Sequence, residues 1–194
     1  MTAPVKVPLK IYQGSTFTEV FRWESNTKVY KAITNVTKAA PCVLTVTLHG
    51  APVGWRVKVS NVLGMKEINS EDYYTVTTAS SNNITFNAVN AVGFSDYISG
   101  GILEYNEPMS LASTTARMQI RSKPSSTEVL LSLTTENSMI ALDDTNKTIT
   151  ISIPAASTEL LTFKSAVYSL ELINGTTVTP FIYGNITLDN EITR

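Results

Sequence analysis

Residues 113–121 read STTARMQIR, and the position of the strand that pairs with them decides how the chain is organised. Ala116, Met118 and Ile120 alternate with polar or charged residues, which is typical of a β-strand that buries one face. The most suitable partner is IYQGSTFTEVFRWES at 11–25, but residues 26–112 lie between the two. An insertion is tolerated at an exposed loop where the chain ends are close. We therefore predict a hairpin between these two stretches, interrupted by a nested domain.

The same two-residue period recurs along most of the chain and predicts an all-β fold. Alternating segments lie at 17–23, 44–48, 55–60, 84–86, 129–134, 149–153 and 168–172. Turn-forming clusters rich in Gly, Asn, Asp and Ser separate them, as expected of sandwiches or barrels. The Asn-Gly pair in ELINGTTVTPF predicts a hairpin with a type I′ turn. Only PAASTELLTF at 154–163 favours a turn or two of helix.

The nested block has its own strands and turns. Residues 28–104 carry about five strands of typical length with small turns, and SNT before them and YNEP after them mark the limits. We predict an inserted module at 28–104 and a discontinuous outer domain formed by 1–27 and 105–194. The alternation also places Trp23 in the outer core, where its replacement by alanine is expected to cost about 3–5 kcal/mol.

Composition excludes several classes of function. Apolar residues make up 43% of the chain, charged residues only 16%, and the net charge is −1. The lysines and arginines are scattered, so we expect no nucleic-acid partner. The N-terminal MTAPVKVPLK lacks the apolar segment of a signal peptide, and no stretch has the length of a membrane-spanning helix. The single cysteine, Cys42, excludes an internal disulfide and is expected to be a buried, inert thiol.

No combination of residues points strongly to catalysis or to metal binding, and we expect no enzyme activity and no cofactor. The one histidine, His49, lies at the start of a turn and is expected to bind backbone groups; Cys42 lies in the opposite phase of the strand, against a Cys-His dyad. Asp143, Asp144 and Asn146 form a hairpin turn more readily than a calcium loop. A hydrolytic carboxylate pair of Glu24 with Glu104 or Glu107 is less favoured than ordinary acids at strand ends.

The aromatic residues of the inserted block leave one contact site open. They are Trp55, Tyr73, Tyr74, Phe94 and Tyr97. Trp55 and Tyr74 fall on the inward phase and are expected in the core. Phe94 and Tyr97 lie in the loop VGFSDYISGG, so they are the candidates for contact with a partner, against the alternative that they pack within the loop.

The outer segments resemble a β-sandwich domain common in virion proteins of tailed phages. The matching residues are Gln13-Gly14, Trp23, 115–121 (TARMQIR), 168–172 (YSLEL) and 191–194 (EITR), with Phe163 where the family pattern often has Trp. The resemblance implies an immunoglobulin-like (Ig-like) β-sandwich. It also implies a place in the virion, in a family that includes collar proteins anchoring side fibres and other neck- and tail-associated proteins.

The inserted block resembles a small β-barrel module of phage structural proteins, named for the first catalytic-cysteine half-domain of ubiquitin-activating enzymes. The resemblance is carried by 33–37, His49-Gly50, 57–62, Gly64-Met65, Asn69, 74–76, Gly93 and 97–101. Despite that name, the module brings no catalytic cysteine. Cys42 lies at a strand start where the pattern usually has a small apolar residue.

Together these features predict a non-enzymatic structural protein of a tailed-phage virion, assembled in the host cytoplasm. It would be a multi-copy neck, collar or tail component that anchors or connects tail fibres. Low surface charge and Thr-rich strands permit homo-oligomers and contacts with other virion proteins, without nucleic acid or membrane. Pro4 and Pro8 predict an extended N-terminal arm that lies across a neighbour. The alternative is a module on the virion that binds a host surface or a glycan.

Overall fold

The computed structural model describes residues 3–191 and confirms the all-β prediction. The strands in the first half are β1 (Val5–Lys6), β2 (Leu9–Tyr12), β3 (Phe17–Arg22), β4 (Glu24–Ala32), β5 (Asn35–Val36), β6 (Cys42–Thr45), β7 (Arg56–Leu63), β8 (Tyr74–Thr75), β9 (Thr78–Ala79) and β10 (Asn83–Phe86). They are followed by β11 (Ser99–Pro108), β12 (Thr114–Arg121), β13 (Leu131–Thr134), β14 (Ile140–Asp143), β15 (Thr148–Ile153), β16 (Ser165–Asn174) and β17 (Thr177–Asp189). The helical elements are α1 (Ala155–Glu159) and one 3₁₀ turn (Lys66–Ile68).

The described chain divides into two compact units. The inserted unit comprises Trp23–Ser110 together with Thr145–Lys147. The outer unit comprises the described residues up to Arg22, Leu111–Asp144, and those from Thr148 onward. The limits expected from the sequence, 28 and 104, fall inside β4 and β11, which pair with each other from Glu24–Pro108 to Ala32–Ile102. The inserted unit therefore begins and ends five or six residues further out than the turn signals indicated.

Two sheets form the outer unit. The larger has the order β1-β17-β16-β12-β13, with β2 also paired to β17. Both β1 and β2 run parallel to β17, whereas the other pairs of this sheet are antiparallel. The smaller sheet has the order β14-β15-β3. Rings from the two sheets meet edge to face where Phe21 contacts Phe181, with centroids 6.4 Å apart.

The expected hairpin between β3 and β12 is wrong. β12 pairs with β13 and β16 in the larger sheet, whereas β3 pairs with β15 in the smaller one. The partner of β3 is the isoleucine-rich strand β15, in which Ile149, Ile151 and Ile153 are fully buried. Alternation identifies the buried face of a strand but carries no information about which strand lies beside it.

The hairpin and the helix predicted in the outer unit are confirmed, but the predicted turn type is wrong. Strands β16 and β17 form the hairpin predicted at Asn-Gly, with Asn174 paired to Thr177. Gly175 has φ 57° and Thr176 is not left-handed, which fits a type II′ turn with glycine first rather than the expected type I′. The helix predicted at 154–163 is the short α1, and its buried Thr158 donates to the Ser15 carbonyl at 2.8 Å.

The inserted unit consists of two open four-stranded sheets, so the expected closed barrel is wrong. Their orders are β5-β6-β10-β9 and β4-β11-β7-β8. In the described residues no hydrogen-bonded pairing joins the end strands of either sheet into a ring. Closure requires a continuous ladder around the sheet, and the two-residue strands β5, β8 and β9 offer too short a ladder for it.

A single apolar cluster fills the inserted unit. Trp55 is its largest fully buried side chain, and its indole N–H donates to the Asn106 carbonyl at 2.8 Å. The ring of Tyr74 stacks on Phe86 with centroids 4.9 Å apart. Trp23, expected in the outer core, instead belongs to the inserted unit and is only partly buried. The large core tryptophan of this chain is therefore Trp55.

The N-terminal segment lies on its own sheet. β1 and β2 both pair with β17, and the Val7 amide donates to the Tyr183 carbonyl at 2.8 Å. The expectation of an arm extended across a neighbour is therefore wrong for residues 5–12. Pro8 separates the two strands, since proline has no N–H to give to a ladder. Of the C-terminal motif EITR, residues 192–194 lie outside the described residues.

The buried Tyr168 predicts a loss of stability at high pH. Its hydroxyl donates to the Val7 carbonyl at 2.8 Å, and burial, with a smaller effect of the Glu19 carboxylate, raises its pKa from 10.0 to about 12. A raised folded-state pKa contributes stability that is complete below pH 10 and is lost as pH rises through 12. Two pKa units correspond to about 3 kcal/mol.

The measurement is guanidinium unfolding of the wild type and of Tyr168→Phe at pH 9 and at pH 11.5. The difference between the two proteins should shrink or reverse at the higher pH, because only the wild type has this hydroxyl to ionise. All other residues are the same in both proteins, so their contributions cancel in the difference. A difference that is the same at both pH values contradicts the prediction.

Candidate functional site

The loop that carries Phe94 and Tyr97 is anchored to the core of the inserted unit. Both rings are partly buried and pack against the apolar cluster. The Tyr97 hydroxyl lies 2.9 Å from the Gly100 carbonyl and 3.2 Å from the Ile33 carbonyl, so its proton is held by the chain itself. The structure thus gives both residues an internal packing role and leaves only part of each side chain exposed to a partner.

Polar contacts fix the same loop on its outer side. Lys38 pairs with Asp96 at 2.9 Å. Glu67 accepts hydrogen bonds from the Ser95 amide at 2.9 Å and from the Ser95 hydroxyl at 2.8 Å. Hydrogen bonds from its own backbone amide and from Ser95 lower the pKa of Glu67 below its usual value. The loop therefore presents one well-defined surface.

Two exposed apolar side chains were not singled out in the sequence: Ile98 within this loop, and Leu63 at the end of β7. Ile98 is 74% exposed and Leu63 is 52% exposed, and the Ile98 amide donates to the Leu63 carbonyl at 3.0 Å. Leu63 faces outward because Asn61 is left-handed (φ 59°), which shifts the inward phase of β7 from Val57 and Val59 to Val62. We call Leu63 and Ile98 the apolar edge.

His49 and Cys42 hold the backbone rather than each other. The imidazole Nε2 lies 2.6 Å from the Ser80 carbonyl, and Nδ1 accepts from the Ala51 amide at 3.1 Å. A neutral ring with its proton on Nε2 satisfies both contacts, and His49 is 97% buried there. Cys42 is fully buried with its Sγ 3.6 Å from the Thr37 carbonyl, and burial raises the pKa of the thiol. The prediction of a turn histidine is confirmed.

The acids considered for hydrolysis are engaged with cations. Arg56 makes a bidentate ion pair with Glu24: Nε donates to Oε1 at 3.2 Å and Nη2 donates to Oε2 at 3.0 Å. Asn106 Nδ2 also donates to Glu24. Glu104 pairs with Lys28 at 3.0 Å. These contacts raise the pKa of Arg56 and of Lys28. Glu107 is exposed. A hydrolytic pair needs two carboxyl groups that flank the bond to be cleaved, whereas Glu24 and Glu104 are each held against a cation of the chain.

The residues considered for calcium have structural contacts of their own. Asp143 pairs with Thr148 at the end of the β14–β15 hairpin, and Asp144 Oδ1 accepts the Leu111 amide at 2.6 Å. Asn146 lies in the turn that joins these strands. Within residues 3–191, no three or more His, Cys, Asp or Glu side chains come together as a metal site would require.

A stacking platform for sugars does not form from the five aromatic residues. Trp55 is fully buried and Tyr74 stacks on Phe86. Tyr73 is 44% exposed, but three cationic groups lie over its ring: Arg56 at 5.2 Å, Lys58 at 5.4 Å and Lys28 at 5.9 Å. Cations attracted to the ring face occupy the surface on which a sugar would stack.

No family model matches the sequence, and no curated protein matches it. In the described part of the chain, no helix combines the length and the apolar character needed to cross a membrane.

Proposed function

We propose that this chain is a non-enzymatic structural protein of a tailed-phage virion, present in multiple copies at the neck, collar or tail, where it anchors or connects fibres. The sequence resemblance of the outer segments supports the proposal. The outer unit adds to it, because two sheets with buried inner faces and a split first strand parallel to the last strand fit an Ig-like β-sandwich.

The observation that carries the proposal is that the polar residues considered for catalysis or metal binding are engaged with other groups of the chain. His49, Cys42 and Asp144 contact backbone groups, and Glu24 and Glu104 pair with cations. The inserted unit also exposes apolar side chains, among them Tyr30, Leu48 and Val92. Leu63 and Ile98 are the pair joined by a backbone hydrogen bond, and they form the apolar edge at the anchored loop. Contiguous exposed apolar surface is typical of protein–protein contacts, so these two adjacent side chains are the candidate contact.

The experiment is light scattering on the purified wild type and on the double variant Leu63→Asp/Ile98→Asp. The wild type should form a defined oligomer, and the variant should fall to a lower mass with an unchanged melting curve, because both side chains are exposed and their replacement changes stability little. Leu160→Asp is the matched control, since Leu160 is 80% exposed but lies in the outer unit.

Gold-labelled antibodies against the chain then test its place in the particle. Labelling confined to the neck or tail of intact virions is expected. Particles without label, or a wild type that is monomeric at every concentration, would contradict the proposal. Binding of the purified chain to host cells or to glycans would instead favour the alternative of a host-surface or glycan-binding module. The five aromatic residues considered for that role do not form a stacking platform.

A further inference from the structure

The outward face of the larger sheet of the outer unit contains a trough along β16. The registers place Gln119, Ser169, Tyr183 and Lys6 in one row across β12, β16, β17 and β1. Arg121, Val167 and Asn185 form the next row on the same face. The shorter side chains on β16 lie between longer ones on the neighbouring strands, so the face is concave. The trough has a volume of about 440 Å³.

The loop after β12 raises one wall of this trough. Arg121 donates through Nη1 to the Ser126 carbonyl, and Nε and Nη2 both donate to Gln119 Oε1, at 3.2 and 2.7 Å. These bonds hold the guanidinium in place and bring Pro124 to the wall. The opposite wall is the ring of Tyr183, which is 43% exposed.

The trough is positively charged. Its lining includes Lys6 and Arg121 and no acidic residue. The acceptors of Arg121 named above are neutral, and among the ion pairs of the described residues neither cation takes part. Glu171, in the adjoining hollow, is paired with Arg117 at 2.8 Å. A guanidinium has five N–H donors, so Arg121 keeps donors for an anion beyond the three bonds it makes.

We infer that this trough binds a carboxylate of a partner polypeptide, an acidic side chain carried on an extended segment that lies along β16. Arg121 and Lys6 receive the carboxylate, while Val167, Pro124 and the Tyr183 ring contact its apolar stem. A polypeptide is favoured over an acidic sugar because the trough continues along the strand into the hollow of about 350 Å³ beside Arg117 and Glu171. The inference rests on the proposed function only in taking the partner to be another protein.

The test is an NMR titration of the full chain with the blocked tripeptide acetyl-Leu-Glu-Val-amide. The probe should move the Arg121 Nε–H resonance and the amide resonances of Val167 and Ser169 in a saturable way. The Gln analogue of the probe should bind about tenfold more weakly, because a charge-assisted hydrogen bond is lost. R121Q should weaken binding of the Glu probe by about tenfold and K6Q by roughly threefold.

K123Q is the matched control, because Lys123 is exposed in the same loop but does not line the trough. R121Q also removes the bonds that hold the loop after β12. K6Q removes a positive charge without that change, since no hydrogen bond of Lys6 Nζ is seen in the described chain. The inference is overturned if no saturable shift occurs, if the Glu and Gln probes bind alike, or if K123Q weakens binding as much as R121Q. Tighter binding of glucuronate than of the Glu probe also overturns it. The probe binds the isolated chain, so failure here is distinct from absence of the chain from virions.

Discussion

Replacing Trp55 with alanine will lower the free energy of unfolding of the inserted unit by about 3–5 kcal/mol. Trp55 is fully buried within the apolar cluster, so the replacement leaves a cavity among side chains that cannot all move to fill it. It also removes the donor to the Asn106 carbonyl. Since a domain is typically stable by only about 5–15 kcal/mol, the variant loses a large share of its stability.

Equilibrium unfolding in guanidinium, followed by circular dichroism, measures this loss. Trp55→Phe is the matched control: it keeps most of the ring and loses the donor, so its cost should be smaller. Trp23→Ala should also cost less than Trp55→Ala, because Trp23 is only partly buried. A loss below about 1 kcal/mol for Trp55→Ala, the average for any point substitution, would contradict the assignment of the core.

Gly101→Ala is expected to cost about 2–5 kcal/mol, from left-handed backbone strain and overpacking together. Gly101 lies in β11 with φ 109°, a conformation that side chains rarely adopt. A Cβ there would be 2.7 Å from Val62 Cγ2 and 3.0 Å from Ile33 Cβ. Both neighbours are core residues, so neither can move away without disturbing the sheet.

Two glycine controls separate the causes. Gly175 has φ 57° with nothing within 4 Å of its Cβ position, so Gly175→Ala reports strain alone. Gly93 has open space and no positive φ, so Gly93→Ala should be nearly neutral. Each variant is compared with the wild-type transition of its own unit, because Gly175 lies in the outer unit and the other two in the inserted unit. The loss of melting temperature should be largest for Gly101→Ala, smaller for Gly175→Ala and smallest for Gly93→Ala. A Gly101→Ala melt equal to that of Gly93→Ala would show that the close contacts are wrong.

Local patterns predicted those features that depend on near neighbours in sequence. The β16–β17 hairpin, the short α1 and the turn role of His49 each involve a few consecutive residues or a nearby turn. The partner of β3 was not predictable in this way, because β3 and β15 pair across more than a hundred residues of sequence. Pairing at that distance is chosen by packing of whole faces, which alternation alone does not describe.

The surfaces were less predictable than the core. Phe94 and Tyr97 were singled out for their ring size, yet Ile98 next to them is the more exposed residue. Leu63 was hidden because the left-handed Asn61 reverses the alternation along β7. The trough along β16 depends on side chains from four strands, and their register is known only once the sheet is assembled. The expected barrel failed for the same reason, since closure is a property of strand order.

The central claim is that residues 23–110 fold around their own core as an insertion in a second folded unit. In the outer unit Arg22 pairs with Thr148, Thr148 pairs with Asp143, and the next residue, Asp144, contacts Leu111. Removing residues 23–110 would leave two ends, at Arg22 and at Leu111. They are separated by two strand spacings and a side-chain contact, about 15 Å. A linker of about six Gly and Ser residues spans that distance.

The direct measurement is therefore a pair of melting curves, one for residues 23–110 alone and one for 1–22 joined by this linker to 111–194. A control chain lacks residues 28–104 instead, so it keeps parts of β4 and β11, and its Tyr105 has lost the core against which it packs. This chain should melt at a lower temperature than the chain that lacks 23–110. Cooperative melting of both pieces is the predicted result. If either piece shows no cooperative transition, the two cores are not independent and the account is wrong.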